Sequence, residues 1–447
     1  MTGAELLPRK SDPYALSGKR VLVQALGCRT NIAEGEALMS EFARRGAETA
    51  DAAPFDVAVV VTCSITSVAD RKSRQMINRF RRECPNACVV ACGCWAQDVP
   101  EKSAEDMGVD LLVGNRHKSE IPSLVSEWLS GHGGHGGGEL FAVRGKLGAQ
   151  WDGLELDSSP YFGRAFIKVQ DGCDHGCTYC IVPKKRGPSV SRPIADIIAE
   201  ARRCAQAGHF EIILTGVHLG LFGRGTGESL GALVEALGRV DGVKRLRFGS
   251  LEPFSIGDDL LEALAASRIF CHHLHLPVQS GDDGILRKMG RGHTAQDFLD
   301  LTRRLRSALG DDLHISTDAM CAFPTESESA FRNTLDLLTA ARIGRVHGFR
   351  YSPRPGTPAA AMNGQVPSDV AADRVRRLCA AGAASLAREA ERWVGRRAEV
   401  LFEGRSHGHP QGYTPEYLEF RPTAGETYNA LKTVEIEYSR GGILYGK

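Results

Sequence analysis

Along the first part of the chain, short unbroken apolar runs alternate with stretches whose apolar residues recur at helical spacing. KRVLVQALGC ends on Gly27 and Cys28, and EGEALMSEFARRG follows with Leu38, Met39 and Phe42 on one face and Gly46 as the stop. DVAVVVTCS and ACVVACGCWAQ repeat the strand pattern and end in Cys63 and Cys94. Unbroken β-branched runs between helices predict a parallel sheet covered on both faces. In such a sheet, ligands gather at the carboxyl ends of the strands.

The rhythm resumes at FIKVQDG. There PIADIIAEARRCAQAG leads into FEIILTGVHLG, SLGALVEALGRV into VKRLRFGSLEP, and DDLLEALAAS into HHLHLPVQSG. AQDFLDLTRRLRSAL then precedes LHISTDAMCAFP, and ESAFRNTLDLLTAA precedes RVHGFRYSPRPGTP, giving six strands in all. Parallel strands joined by right-handed crossovers predict an incomplete (βα)6 barrel, open on one side, with functional loops on its carboxyl face. From about Glu391 the period changes to alternation without helices, in RRAEVLFEGRS, EYLEFRPT and KTVEIEYSRGGILYGK. That pattern predicts a small all-β barrel. The fold class is therefore α/β. Residues 18–129 form a doubly wound parallel-sheet domain, 130–158 a Gly-rich linker containing GHGGHGGGE, 159–390 the partial barrel and 391–447 the β-barrel. His132 and His135 are read as linker composition.

Length agrees with several domains, since 447 residues exceed one ordinary core. No apolar run reaches a membrane span and MTGAELLPRK has no apolar signal core, so a cytoplasmic location is expected. Thirteen cysteines in such a chain point to reduced thiols and metal ligation over a disulfide framework. The net charge of +1 neither announces nor excludes a nucleic-acid partner, because local clustering decides that. In SVADRKSRQMINRFRRE, Met76, Ile77 and Phe80 form one stripe while Arg71, Lys72, Arg74, Arg79, Arg81 and Arg82 cover the rest. This is either a solvated face or one turned to phosphates. Tyr413, Tyr417, Tyr428, Arg405 and Arg421 give the C-terminal barrel residues for base stacking and phosphate contact.

The densest chemistry lies in KVQDGCDHGCTYCIVPKKRGPSVSRP, where Cys173, Cys177 and Cys180 stand in a CxxxCxxC spacing. A zinc site takes a fourth ligand, and this loop has no fourth cysteine. Three thiolates suit an iron-sulfur cubane that leaves one iron without a protein ligand, where a cofactor can bind the metal directly. Cys28, Cys63 and Cys94 make a second, dispersed set at three strand ends. Pattern alone balances that set against ordinary core cysteines, with Cys84, Cys88 and Cys92 close by. Cys94 is preferred to Cys92 because it follows Gly93 and turns out of the strand. On the carboxyl edge of the central sheet, Thr215 and Gly216 offer a close backbone approach for a cofactor's amino group. Glu252, Gln279 and Ser280 offer polar contacts there. The structural alternatives are a tight turn at Gly216 and a helix cap at Gln279 and Ser280. His218, His273 and His275 lie near the same edge without an assigned role.

RAFIKVQDGCDHGCTYCIVPKKRG, HLHLPVQSG and the dispersed LGCRTN, VVTCSITSVADRKSRQ and GCWAQ together resemble the methylthiotransferases. These are radical S-adenosylmethionine (SAM) enzymes with an N-terminal cluster domain and a C-terminal TRAM domain, and the likeness runs from Lys19 onward. It implies two [4Fe–4S] clusters, one on Cys173, Cys177 and Cys180 and one on Cys28, Cys63 and Cys94. It further implies that the first binds SAM and passes it one electron, generating a 5′-deoxyadenosyl radical, while the second carries the sulfur that is transferred. LTGVHLG and RGHT are most similar to the branch acting on N6-threonylcarbamoyladenosine beside a tRNA anticodon. The implied partners are the tRNA anticodon loop and an electron donor such as flavodoxin or ferredoxin, with no membrane.

Adenine C2 carries an unactivated C–H bond on which acid–base groups have little to act, so radical chemistry supplies the reactivity. A base in a single-stranded loop is reached at modest cost. Lys184, Lys185 and Arg186 become candidate contacts for the RNA backbone. One departure stands out: a GFPGE-like segment reads CAFPTES, with Ala322 and Thr325 where glycines are expected. Glycine would let the backbone approach a cofactor, whereas a β-branched residue narrows the space. The competing readings are action on isopentenyladenosine in tRNA or on a ribosomal-protein aspartate and, from another class, a non-catalytic iron-sulfur RNA-binding protein.

Overall fold

Valine-rich runs form the middle of a six-stranded, wholly parallel sheet in the first of two units, which extends to Asp157 and takes in Lys184–Gly187. The computed structural model describes residues 16–132, 140–159, 163–406, 409–423, 425 and 430–447. In chain order this unit has β1 (Arg20–Ala25), α1 (Arg29–Arg44), β2 (Glu48–Thr49), β3 (Val57–Thr62), α2 (Ser67–Glu83) and β4 (Cys88–Gly93). Then come α3 (Glu101–Glu105), β5 (Leu111–Val113), α4 (Ile121–His132) and β6 (Phe141–Val143). The unbroken runs are explained by burial on both faces: Val57, Val59 and Val61 pack with Leu38, Phe42 and Val125, while Ala58 and Val60 pack with Ile77 and Phe80. Each fully buried valine contributes about 1.5–3 kcal/mol, so the sheet centre carries much of the unit's stability.

The strand order is β2-β1-β3-β4-β5-β6. The chain leaves β1 to one side and returns at β3 on the other. The helices that follow these two strands pack into different apolar clusters on opposite faces. That reversal opens a crevice beyond the carboxyl ends of β1 and β3.

Residues 140–157, expected as linker, belong to this unit. β6 pairs with β5, Asp152 accepts from the backbone N–H of Lys118 (3.1 Å) and Ser119 (3.0 Å), and Asp157 pairs with Arg44 at 3.0 Å. A three-residue strand held by its neighbour's register leaves little periodic signal. The basic helix α2 also differs from expectation. Arg81 donates to the carbonyls of Gly108, Pro85 and Ala87 and pairs with buried Asp110, which removes it from any phosphate-facing set. Arg79 pairs with Glu83 at 2.7 Å, while Arg71, Lys72 and Arg82 are exposed.

The second unit comprises Ser158–Pro183 and Pro188–Lys447. β7 (Arg164–Lys168) leads into a hairpin of β8 (Gln170–Asp171) and β9 (Val190–Ser191), with α5 (Val182–Arg186) inside the connection. There follow α6 (Ile194–Gln206), β10 (Glu211–Thr215), α7 (Leu230–Leu237), β11 (Arg245–Phe248), α8 (Asp258–Ala266) and β12 (His273–His275). Next are α9 (Asp283–Met289), α10 (Ala295–Leu309), β13 (His314–Cys321), α11 (Glu328–Ala340), β14 (Arg345–Arg350) and α12 (Ser368–Glu391). Parallel sheets β11-β10-β7 and β12-β13-β14 are joined by single bridges, Leu246 to Phe270 and Ser250 to His275. The result is the expected partial barrel of six parallel strands. Its last strand is covered by α12, a helix the pattern did not predict. Gly348 and Gly382 let it approach, since a Cβ on Gly348 would meet Leu378 at 2.8 Å and one on Gly382 would meet Val346 at 2.9 Å.

Strands β15 (Arg397–Ser406), β16 (His409–Tyr413), β17 (Glu419–Pro422), β18 (Ala430–Arg440) and β19 (Ile443–Gly446) close a barrel in the order β15-β16-β17-β19-β18. It docks under the starts of β7, β10 and β11 through buried charge. Arg164 pairs with Glu403, Arg245 binds the carbonyls of Glu399 and Tyr413, and Arg247 pairs with Glu211 and reaches the Pro415 carbonyl. Burial alone pushes the Glu211 carboxyl up, but Arg247, Arg164 and Arg245 outweigh it and hold it at about 2.

This docking corrects the expectation for Tyr413 and Tyr417. Their rings stack at 5.0 Å, and Arg164 and Arg247 lie over them, so these faces serve the protein's own packing instead of RNA bases. Arg421 pairs with Glu419 at 2.7 Å. His135, Tyr428 and the side chains of His132 and Arg405 lie outside the described residues. No helix among the described residues is long and apolar enough to cross a membrane.

Candidate functional site

At the crevice of the first unit, three strand ends bring three thiols together. Cys28 is the N-cap of α1, and Cys63 and Cys94 directly follow β3 and β4. Gly27 and Gly93 stand just before Cys28 and Cys94 with φ of 93° and 95°. A Cβ on Gly27 would lie 2.5 Å from Cys63 Sγ, so glycine is what lets β1 turn over that thiol. The three sulfurs share one electrostatic environment. Burial raises the Cys28 thiol, opposed by Arg186 and reinforced by Cys94. Cys63 is pushed up to about 12, first by burial and then by Cys94 and Cys28. Cys88 and Cys92 remain inside strand β4 as core residues, as the choice of Cys94 anticipated.

A buried polar network backs this set. Asn31 Nδ2 donates to the carbonyls of Leu26 (2.6 Å) and Thr62 (3.0 Å), tying the start of α1 to two strand ends. The Cys28 thiol donates to Asn31 Oδ1 at 3.8 Å, and Asn115 Nδ2 donates to Cys94 Sγ at 3.9 Å and to the Lys185 carbonyl at 2.8 Å. Arg186 holds Glu34 in a bidentate pair at 2.9 and 3.0 Å and donates to Asn31 Oδ1 at 2.7 Å. Lys185 is buried and pairs with Asp98. These contacts overturn the reading of Lys185 and Arg186 as RNA contacts, and only Lys184 of that trio is exposed. Asn31, Glu34, Asn115 and Lys118 were not singled out in the sequence. A signal existed, since Asn31 and Glu34 fall on the same helical stripe as Leu38 and Phe42 and so are polar residues on an inward face.

In the second unit, the cysteine loop leaves β8 and is clamped at its start and in its middle. Gln170 Nε2 donates to the carbonyls of Asp171 (3.0 Å) and Gly172 (2.7 Å), and its Oε1 accepts from the His218 backbone at 2.7 Å. Thr178 N–H donates to the Met289 carbonyl at 2.9 Å, and Thr178 Oγ1 donates to that of Lys288 at 2.7 Å. The C-terminus of α9 therefore holds the middle of the loop. Cys173, Cys177 and Cys180 are partly exposed and act on one another: burial, then Cys177, raises Cys173 to about 11, and burial, then Cys177 and Cys173, raises Cys180 to about 12. Arg291 Nη1 donates to Cys177 Sγ at 3.7 Å while its Nη2 pairs with Glu252 and donates to the Pro277 carbonyl at 2.8 Å.

The other predicted residues lie on the carboxyl edge, with different surroundings. Thr215 ends β10, its carbonyl accepting from Val169. Gly216 is packed against Gln170 and Leu219, where a Cβ would meet atoms at 3.0 Å. Gln279 has φ of 69°, and its buried Oε1 has no hydrogen-bond partner. A strained, unsatisfied polar residue at a strand end is a candidate ligand contact. Ser280 Oγ instead accepts from Asp282 N–H at 3.2 Å, supporting the start of α9, whose cap is Asp282. Ala322 and Thr325 adopt φ of 60° and 70°, the region that favours glycine. Thr325 Oγ1 accepts from Lys288 at 2.5 Å.

The Radical SAM superfamily matches residues 167–338, and the family described as Uncharacterized protein family UPF0004 matches residues 20–114. The threonylcarbamoyladenosine tRNA methylthiotransferase MtaB of Bacillus subtilis (strain 168) is 33% identical over 436 residues, covering 96% of this chain and 95% of that protein. The chain belongs to the radical SAM methylthiotransferases. A tRNA-2-methylthio-N(6)-dimethylallyladenosine synthase of Bifidobacterium adolescentis is 34% identical over 423 residues, 91% of this chain and 86% of that one. Among solved structures, TsrM from Kitasatospora setae, a radical S-adenosylmethionine methyltransferase with cobalamin and a [4Fe-4S] cluster bound, superposes with a TM-score of 0.57 at 18% identity over 77% of each chain. At that identity the likeness speaks for the fold alone.

Radical SAM enzymes use a [4Fe–4S] cluster and SAM, and the residues present suit them. Both cysteine sets are pure thiol donors. Among the described residues, no three His, Cys, Asp or Glu side chains are gathered as ligands of a single ion would be. Thiolates of a cubane sit on separate irons and need no common point.

Proposed function

We propose that this radical SAM methylthiotransferase acts on tRNA and places a methylthio group at C2 of N6-threonylcarbamoyladenosine beside the anticodon. Cys173, Cys177 and Cys180 would hold the SAM-binding cluster, and Cys28, Cys63 and Cys94 a second one. When bound, these groups supply one-electron chemistry and the sulfur, neither of which acid–base side chains provide at an unactivated C–H bond. The chain's own residues hold and orient. Arg291 fixes Cys177 and Glu252, α9 fixes the loop, and Thr215, Gly216 and Gln279 line the strand ends where SAM would lie. A flavodoxin or ferredoxin would deliver the electron.

The substrate branch rests on where two motifs meet. His218 of LTGVHLG lies 5.9 Å from the Phe254 ring, His293 of RGHT lies 6.1 Å from it, and Arg291 lies over it at 5.6 Å. Both ring nitrogens of His218 and Nε of Arg291 are buried without a hydrogen-bond partner. Such groups suit the carboxylate, hydroxyl and urea of a threonylcarbamoyl substituent better than the hydrocarbon of a dimethylallyl one. A site built to hydrogen-bond its substrate rejects an analogue lacking those groups by about 10⁴–10⁵. The dimethylallyl reading is kept as a rival because relatives of both names are about equally similar.

Mass spectrometry of tRNA nucleosides from a strain lacking this gene and any paralogue tests the assignment. Loss of the methylthio-threonylcarbamoyl nucleoside, restored by the gene, is expected. Loss of the methylthio-dimethylallyl nucleoside instead would move the enzyme to the other branch.

A further inference from the structure

Around the N-terminal thiols, the structure buries a set of paired charges. Arg186 is 2% exposed, Glu34 1% and Lys118 0%, and Lys118 Nζ reaches Glu34 Oε1 at 3.2 Å and the Asn115 carbonyl at 2.9 Å. Burying charges costs several kcal/mol each unless they are well paired, and apolar replacements often serve stability as well or better. This network is also in contact with the thiols themselves, since Asn31 links Arg186 to Cys28 and Asn115 links to Cys94. Of the charged side chains acting on Cys28, Arg186 outweighs Glu34, and Arg186 is also the cation acting on Cys63. Asp152, a further buried carboxylate, is turned to the backbone N–H groups of Lys118 and Ser119.

We infer that Arg186, held by Glu34 and Asn31, is a positioning residue that sets the charge around Cys28, Cys63 and Cys94. Its guanidinium offsets the negative charge that three thiolates bring into a dry crevice. The group bound there is thereby easier to reduce than thiolates alone would leave it. Glu34 acts in the opposite sense while fixing the guanidinium in place. The inference rests on the reading of these three cysteines as cluster ligands, and its test separates the two.

The full chain carrying Cys173→Ala, Cys177→Ala and Cys180→Ala is reconstituted anaerobically, so that iron binds only at the N-terminal set, and titrated with the redox state followed by EPR. Adding Arg186→Gln should raise the oxidised-to-reduced ratio at a fixed potential about tenfold, a shift of about 59 mV for one electron, while Arg186→Lys stays near the parent. Glu34→Gln should shift it the other way. Shifts of the same sign, or none with iron fully retained, would overturn the inference, because a purely structural network has no reason to give opposite signs. If Arg186→Gln loses iron, the sign of the Glu34→Gln shift decides, since that variant keeps both cations. Absence of iron in the parent would instead sink the reading of Cys28, Cys63 and Cys94 as ligands.

Discussion

The two cysteine sets present the same three donors on opposite structural principles. Cys173, Cys177 and Cys180 lie within one short loop, partly exposed, and the loop's shape is fixed by Gln170 at its start and α9 at its middle. Cys28, Cys63 and Cys94 are spread over three strand ends, and Cys63 and Cys94 are 2% exposed. They are assembled by the register of a parallel sheet and backed by buried charge. A contiguous loop can leave one side accessible, as binding a cofactor at an open iron requires. A set made from strand ends gains rigidity and dryness, and charge placed beside it acts with little screening.

The sharpest test of this contrast separates the roles. Cys177→Ala should abolish 5′-deoxyadenosine formation from SAM under reducing conditions, whereas Cys63→Ala should retain it and lose the methylthio nucleoside. Both are read by mass spectrometry. Equal loss of cleavage in the two variants would end the division of labour.

Stability should follow the difference in burial. Glu34→Ala leaves Arg186 and Lys118 buried without their carboxylate and should cost about 3–5 kcal/mol. Glu252→Ala, at a carboxylate whose side chain is 20% exposed, should cost about 1–2 kcal/mol. Thermal melts of the apoprotein compare them, and equal costs would mean that the N-terminal network is no drier than the loop.

The smallest effect concerns a strand end of the second unit. Thr325→Gly should raise stability by about 1 kcal/mol or less, since relief of a left-handed conformation is partly offset by a freer unfolded chain. A fall in melting temperature would mean that Thr325's contact with Lys288 outweighs its backbone strain.

Much of this was legible in the sequence because it is local. Periodicity located the strands that end in Cys28, Cys63 and Cys94, the six strands of the central barrel and the change of rhythm after Glu391. The spacing of Cys173, Cys177 and Cys180 made that loop stand out, and the substitutions at Ala322 and Thr325 marked two backbone positions that do adopt positive φ. Only the tertiary structure decided what long-range pairing controls. Arg186 finds Glu34 across 152 positions, so a basic tripeptide that reads as a solvated, RNA-facing turn is mostly buried. Tyr413 and Tyr417 look like bases' stacking partners until β7 and β11 bring Arg164 and Arg247 over their rings. A side chain's type and spacing fix what it can do locally, whereas sheet order and docking determine which opposite charge or ring it meets, and whether water is present when it does.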